Sequence, residues 1–223
     1  ATSIVAEKHY DETYYYGGEK RTPEVIDRAK ILLKYVKNYL DVKINILDFG
    51  CNTGSVVSEF NQNKFSCDGV DINERDLNIA RATDKYNYYL PGNVSSKYGC
   101  VTAFDVIEHF DDFDDFFING IDNYLLQNGI LIITTPNLDS NWKSILKYWH
   151  GWSIPEYHRT ILSRQSIGYL SSKYNYSIVE IKELPIMNTR EWKYYLNGKL
   201  NNRKKITKLL YFPFLIIKYF FYK

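Results

Sequence analysis

The sequence predicts an α/β fold, a doubly wound and mostly parallel sheet with helices on both faces. Three observations predict it. Short apolar runs rich in β-branched and aromatic residues alternate with stretches of helical period, the order that gives a parallel sheet covered on both sides. The first of these runs leads straight into a glycine turn, ILDFGCNTGS at residues 46–55. The second ends in an acid, GVDIN at residues 69–73. A chain of 223 residues, 45% hydrophobic, suits one such domain with a real core.

Taken in order, the chain first offers a helix over residues 22–40. Thr22 stands at the cap and Pro23 in the first turn. Val25, Ile26, Ala29, Leu32, Leu33 and Val36 then follow a 3.6-residue period. Strands are predicted at 44–49, 65–72, 86–90 and 100–106. GILIITT (129–135) is the clearest strand, a β-branched run after a glycine, and YSIVEIKEL (176–184) reads as a sixth. Helices fill 54–62, 74–84, 111–126 and 163–174.

The formal net charge of +2 hides an asymmetry. Of the 28 Lys and Arg, seven lie between Lys199 and Lys223, where there is no acid, leaving 21 against 26 Asp and Glu in the body. An acidic body without a basic face makes nucleic acid a poor partner. Cys51, Cys67 and Cys100 are odd in number and lack Cys-x-x-Cys spacing, against both a disulfide framework and a structural zinc. No apolar run resembles a signal peptide or reaches the roughly 20 residues of a membrane span. A reducing, cytoplasmic setting is the expectation. The last stretch, LLYFPFLIIKYFF (209–221), is mostly apolar and follows a basic segment. It suits either an interfacial segment meeting the inner membrane surface or, after the break at Pro213, a buried strand.

The glycine turn narrows the ligand. In an open parallel sheet, ligands bind at the carboxyl ends of the strands. Gly50 and Gly54 let the backbone approach one closely. Asn52 replaces the second glycine of a dinucleotide fingerprint and crowds a pyrophosphate, which speaks against NAD. No Lys-Ser/Thr follows, which excludes a nucleoside triphosphate loop. Asp71 lies 21 residues after Gly50, where an acid commonly accepts both hydroxyls of a ribose. A turn without a phosphate cradle, followed by an acid for a ribose, describes S-adenosylmethionine.

Together, ILDFGCNTGS, GVDINERDLNIAR, VTAFDVIEHF and LLQNGILIITTPN resemble, in order, the motifs of class I S-adenosylmethionine-dependent methyltransferases. The resemblance covers about residues 44–180 and points to the broad group containing quinone-type, sugar and natural-product O-methyltransferases. It implies a Rossmann-like fold with an antiparallel last strand beside the fifth. It divides the single domain into an N-terminal lid and helix (1–40), a cofactor-binding core (41–185) and a basic, apolar C-terminal segment (186–223). Carried over, Asp48, Gly50, Cys51, Asn52 and Gly54 line the methionine half of the cofactor. Asp71 holds the ribose, Ile72 meets the adenine, and Asn93 and Val94 flank its edge. Phe104 and Asp105 lie beneath the methionine. In the Tyr-rich start, HYDETYYYGGEKR, Tyr15 faces the sulfonium and Arg21 pairs the cofactor carboxylate. Family members often have Gly where this chain has Asn52 and Asp where it has Gly99.

Methyl transfer is mainly a matter of alignment, but a hydroxyl acceptor also needs its proton removed. Asp105, Glu108 and His109 are spaced i, i+3 and i+4, and one helical turn would set them on one side. His158 lies in the connection after the fifth strand. Glu108, His109 and His158 are therefore the candidate catalytic residues. The Glu-His pair with a distant His also resembles the metal site of some 2′-hydroxyl methyltransferases, with Asp105, Glu108, His109 and His158 around a divalent ion. The reading is an O-methyltransferase for a small hydroxyl-bearing acceptor: a glycan sugar, a lipid-linked intermediate or a phenol. Two alternatives stay open, a metal-assisted 2′-hydroxyl methyltransferase and a non-catalytic fold relative serving as a partner subunit. The sequence leaves the oligomeric state open.

Overall fold

The computed structural model describes residues 21–139 and 158–183. Five strands form one sheet in the order β3-β2-β1-β4-β5, and every pairing is parallel. They are β1 (Asn45–Phe49), β2 (Ser66–Val70), β3 (Tyr88–Tyr89), β4 (Tyr98–Phe104) and β5 (Leu125–Thr134). The strand order reverses between β1 and β4, and that switch point is where an open sheet of this kind opens a crevice.

The helices are α1 (Pro23–Val36), α2 (Ser55–Gln62), α3 (Glu74–Thr83), α4 (Phe113–Phe116), α5 (Asp122–Tyr124) and α6 (Arg164–Lys173). A π-helical stretch, Phe117–Ile121, joins α4 to α5. Side chains alternate across each strand, and the two cores follow that alternation. Ile46 and Cys100 pack with Leu33 and Val36 of α1, Phe60 of α2 and Leu77 of α3. Leu47 and Val101 point the other way, onto Phe116, Ile121 and Leu170. The expected helices on both faces are thus present.

Local chemistry sets the boundaries. Pro23 opens α1, and Asn73 caps α3 by accepting from the N–H groups of Arg75 and Asp76. Ser163 caps α6 by accepting from Ser166 N–H. The expected helix over 111–126 ends earlier, because β5 already begins at Leu125. Its pairing with β4 jumps from Tyr98↔Leu125 to Cys100↔Ile130, and Asn128 takes a left-handed φ of 65° within the irregularity.

The sixth strand does not form over Tyr176–Glu183. Side chains fix this segment instead of a ladder. The Tyr176 hydroxyl donates to Asp122 at 2.6 Å, and Glu183 pairs with Arg164 at 3.0 Å. The segment's adjacent apolar residues Ile178 and Val179 are both exposed, at 46% and 85%. The lid with Tyr15, the C-terminal segment from residue 186 and the antiparallel last strand lie outside the described residues. Among the described residues, no helix is long and apolar enough to cross a membrane.

Candidate functional site

The turn after β1 is built for close approach. Gly50 and Gly54 both sit at left-handed φ, 77° and 76°. A Cβ on Gly50 would stand 2.6 Å from Cγ2 of Val106, so glycine is required twice over. The N–H groups of Gly50 and Cys51 both donate to the Val70 carbonyl, at 2.8 and 3.1 Å, tying the turn to β2. Asn52 takes φ 48°, a conformation asparagine tolerates better than most residues. Its side chain turns aside, donating from Nδ2 to Asp76 Oδ2 at 2.8 Å and accepting from Thr53 N–H at 2.7 Å. The crowding expected of this residue is relieved in that way.

Two carboxylates mark the cofactor side. Asp48 is 3% exposed and accepts from Thr102 Oγ1 at 2.7 Å, its register neighbour on β4. Burial raises its pKa to about 7. Asp71 accepts from Asn73 N–H at Oδ1 and from Asn52 N–H at Oδ2, both at 2.8 Å. Burial raises its pKa to about 6, and the two amides work against that rise. Ile72 follows it, partly buried. Asn93 is exposed at the end of a 3₁₀ turn, and Val94 packs onto the second core. Phe104 packs onto the first core.

At the end of β4 the backbone is strained. Asp105 has φ 55°, held by an N–H bond to the Thr134 carbonyl and by Thr134 Oγ1 donating to Oδ1, both at 2.9 Å. Its other oxygen pairs with Arg28 of α1. A 3₁₀ turn, Ile107–His109, follows. Glu108 within it is fully buried at 0% exposure, and among the described residues neither carboxylate oxygen has a hydrogen-bond partner. Burial lifts its pKa to about 7, tempered by the nearby Thr135 hydroxyl and by Arg28. The Glu108 carbonyl accepts from the N–H groups of Arg159 and Thr160, at 2.8 and 3.2 Å, which brings the distant loop alongside. The His109 and His158 rings consequently lie 5.1 Å apart. Ligand atoms of Glu108, His109 and His158 all fall within 4.8 Å of one another.

Two of the expected site residues have partners within the protein. Asp105 does not join that cluster, because the turn begins beyond it and its carboxylate is committed to Arg28 and Thr134. Arg21 is tied within the protein, by Nη1 to Asp84 at 2.7 Å, by Nη2 to the Tyr88 hydroxyl at 3.0 Å and by Nε to the Thr53 carbonyl at 2.6 Å. In the structure it braces the glycine turn. The sequence reading missed Arg28, Thr102, Thr134 and Asp76. Arg28 carried a signal, since a cation four residues before Leu32 shares the inward face of α1. Asp76 was hidden by its place in the first turn of a helix, where an acid is ordinary.

Comparison with known proteins bears on the family and the fold. Residues 19–181 match the family described as a methyltransferase domain. The chain belongs to that family, and its domain is of the class I S-adenosylmethionine-dependent type. It is similar to the ubiquinone biosynthesis O-methyltransferase of Rickettsia canadensis, 31% identical over 117 residues, covering 48% of this chain and 49% of the relative. The chain spans about half the length of the curated relatives it matches. In fold it resembles an S-adenosylmethionine-dependent methyltransferase from Archaeoglobus fulgidus, with TM-score 0.57 and 18% identity over 71% of this chain and 72% of that one. It also resembles magnesium protoporphyrin IX methyltransferase from Synechocystis, with TM-score 0.55 and 15% identity over 78% and 85%.

Proposed function

We propose that the protein moves the methyl group of S-adenosylmethionine to a hydroxyl oxygen of a small acceptor, a phenol, a glycan sugar or a lipid-linked intermediate. The observation that carries this reading is the Glu108 carboxylate, fully buried and without a hydrogen-bond partner among the described residues, beside His109 and His158 at the end of β4. A fold that leaves a buried carboxylate unsatisfied carries a cost of some kcal/mol, and a functional site is where such a cost is retained. The similarity to ubiquinone biosynthesis O-methyltransferases supports oxygen as the methylated atom.

In this reading Asp71 accepts the ribose hydroxyls through the lone pairs its two amides leave over. Asp48 sets a negative charge near the sulfonium. The acceptor oxygen attacks the methyl carbon as the carbon–sulfur bond breaks, and the bonding pair leaves on sulfur. The acceptor proton passes to His109 or His158, and Glu108 beside them balances the imidazolium charge. Calorimetric titration with S-adenosylmethionine, followed by S-adenosylhomocysteine release with a panel of catechols and sugars, tests the proposal. Tight binding without turnover on any hydroxyl acceptor would instead support a non-catalytic partner subunit.

A second reading is favoured by the same cluster. One carboxylate and two imidazoles within 4.8 Å suit a divalent ion such as manganese, iron or zinc. Glu108, His109 and His158 fit it as three ligands, without Asp105. Such an ion would supply a Lewis acid for an acceptor hydroxyl. A rise in melting temperature with added Mn²⁺ or Zn²⁺, lost in His158→Ala, supports it. No shift removes it.

A further inference from the structure

We propose that Asp76 is a positioning residue for nucleoside recognition, acting through Asn52 on the turn that holds Asp71. The proposal rests on the reading of this site as one for S-adenosylmethionine. Two turns meet here, the glycine turn after β1 and the acid turn after β2. Asp76 Oδ2 accepts from Asn52 Nδ2 at 2.8 Å and from Asn73 Nδ2 at 3.2 Å, one donor from each turn. Asp71 bridges the same two turns by backbone, accepting from Asn52 N–H and Asn73 N–H. Two carboxylates thus clamp one pair of asparagines, Asp71 by their amide N–H groups and Asp76 by their side chains.

Capping does not account for Asp76. The α3 N-terminus is already served by Asn73 Oδ1, which accepts from Arg75 N–H at 3.1 Å and from Asp76 N–H at 3.4 Å. The Asp76 carboxylate reaches out of the helix to residue 52. A glycine at that position could adopt φ 48° but could not be tethered. Asparagine accepts the left-handed conformation and supplies an amide that Asp76 can hold. In this chain the freedom of the usual glycine is replaced by a tether. The consequence falls on Asp71. Its two amide bonds take one lone pair on each oxygen, and the remaining lone pairs are directed by where those amides stand. Fixing Asn52 therefore fixes the direction in which Asp71 meets a ribose diol.

The test compares wild type, Asn52→Gly, Asp76→Ala and the double variant by calorimetry, with S-adenosylhomocysteine and its 2′-deoxy analogue as probes. Asp76→Ala should weaken S-adenosylhomocysteine binding roughly tenfold, as loss of a charge-assisted hydrogen bond does. In the Asn52→Gly background the same change should add less than about twofold, because the tether is already gone. The preference for the 2′-hydroxyl over the 2′-deoxy probe should fall along with affinity. Asp76→Asn, which keeps an acceptor oxygen and the fold, should retain most of that preference. Additive losses, or equal losses for both probes, would overturn the proposal and leave Asp76 a support for α3. Wild-type protein that binds neither probe would overturn the cofactor reading, and this inference with it.

Discussion

Asp71 and Glu108 are carboxylates beyond the carboxyl ends of β2 and β4, the first partly and the second fully buried, and they are opposites. Each oxygen of Asp71 accepts a backbone N–H. Among the described residues, neither oxygen of Glu108 has a hydrogen-bond partner. The first arrangement is finished before any ligand arrives, which is what a binding element needs: little is left to reorganise. The second is unfinished, which is what a group that receives charge or a ligand during a reaction needs. The cofactor half of the site is thus saturated up to the lone pairs a ribose would take, and the acceptor half is held short of satisfaction.

Removing the unsatisfied charge is the strongest way to break that contrast. Glu108→Gln keeps the shape and loses the ability to balance an imidazolium. Turnover should fall by about 100- to 10,000-fold, the usual range for general acid–base assistance, while S-adenosylmethionine affinity stays within about twofold. An equal loss in both quantities would make Glu108 structural. The melting temperature should not fall, since an amide is less costly to bury than an uncompensated carboxylate.

Asp48 lies between the two extremes, with one hydrogen bond and 3% exposure. Its pKa is raised to about 7 in the folded protein from an ordinary 3.8. Between those values the native state binds more protons than the unfolded chain, so stability declines as pH rises through that window and levels off above it. The full decline is on the order of 4 kcal/mol. Asp48→Asn escapes it. Thermal melts of the ligand-free protein should show Asp48→Asn gaining on wild type from pH 5 to pH 8, and parallel curves would show that Asp48 does not titrate in that window.

The contrast also explains what the sequence could and could not disclose. The turn, its two structural glycines and Asp71 were legible because their roles are local: a strand end, a left-handed φ and a fixed spacing. The five parallel strands were legible from their apolar runs. The pairing of Glu108 with His158 needed two loops to meet, and only the resemblance to a family suggested it. Long side chains defeated the reading most plainly. Arg21 just before α1 and Arg28 within it are seven residues apart, and composition cannot say which of them turns inward to Asp84 and which reaches Asp105. Tyr176–Glu183 alternates like a strand, yet Asp122 and Arg164 capture its side chains first.

On the saturated side, the direct test is Asp71→Ala. S-adenosylmethionine binding should weaken by about 1–3 kcal/mol, the cost of stranding hydroxyls that had an ionised acceptor. The 2′-deoxy analogue of S-adenosylhomocysteine should lose less. Unchanged affinity would remove Asp71 from the ribose and, with it, half of the comparison.

The smallest effect is the most discriminating, because it converts one kind of carboxylate into the other. Thr102→Val keeps the side-chain shape on β4 and deletes the donor that Asp48 has at 2.7 Å. Asp48 then joins Glu108 among the buried acids without a side-chain partner. That bond holds the Asp48 pKa below where burial alone would put it, so its loss should push the value higher still. A net loss of about 1 kcal/mol is expected for one such hydrogen bond. It should grow with pH, because the hydroxyl favours the ionised form and at pH 5 the folded protein holds Asp48 protonated. Melting Thr102→Val beside wild type at pH 5 and pH 8 measures this directly. A deficit that widens toward pH 8 means hydrogen bonding, and not burial alone, separates the finished half of the crevice from the unfinished half. A deficit equal at both pH values would mean that Thr102 contributes packing only, and that Asp48 was as unsatisfied as Glu108 from the start.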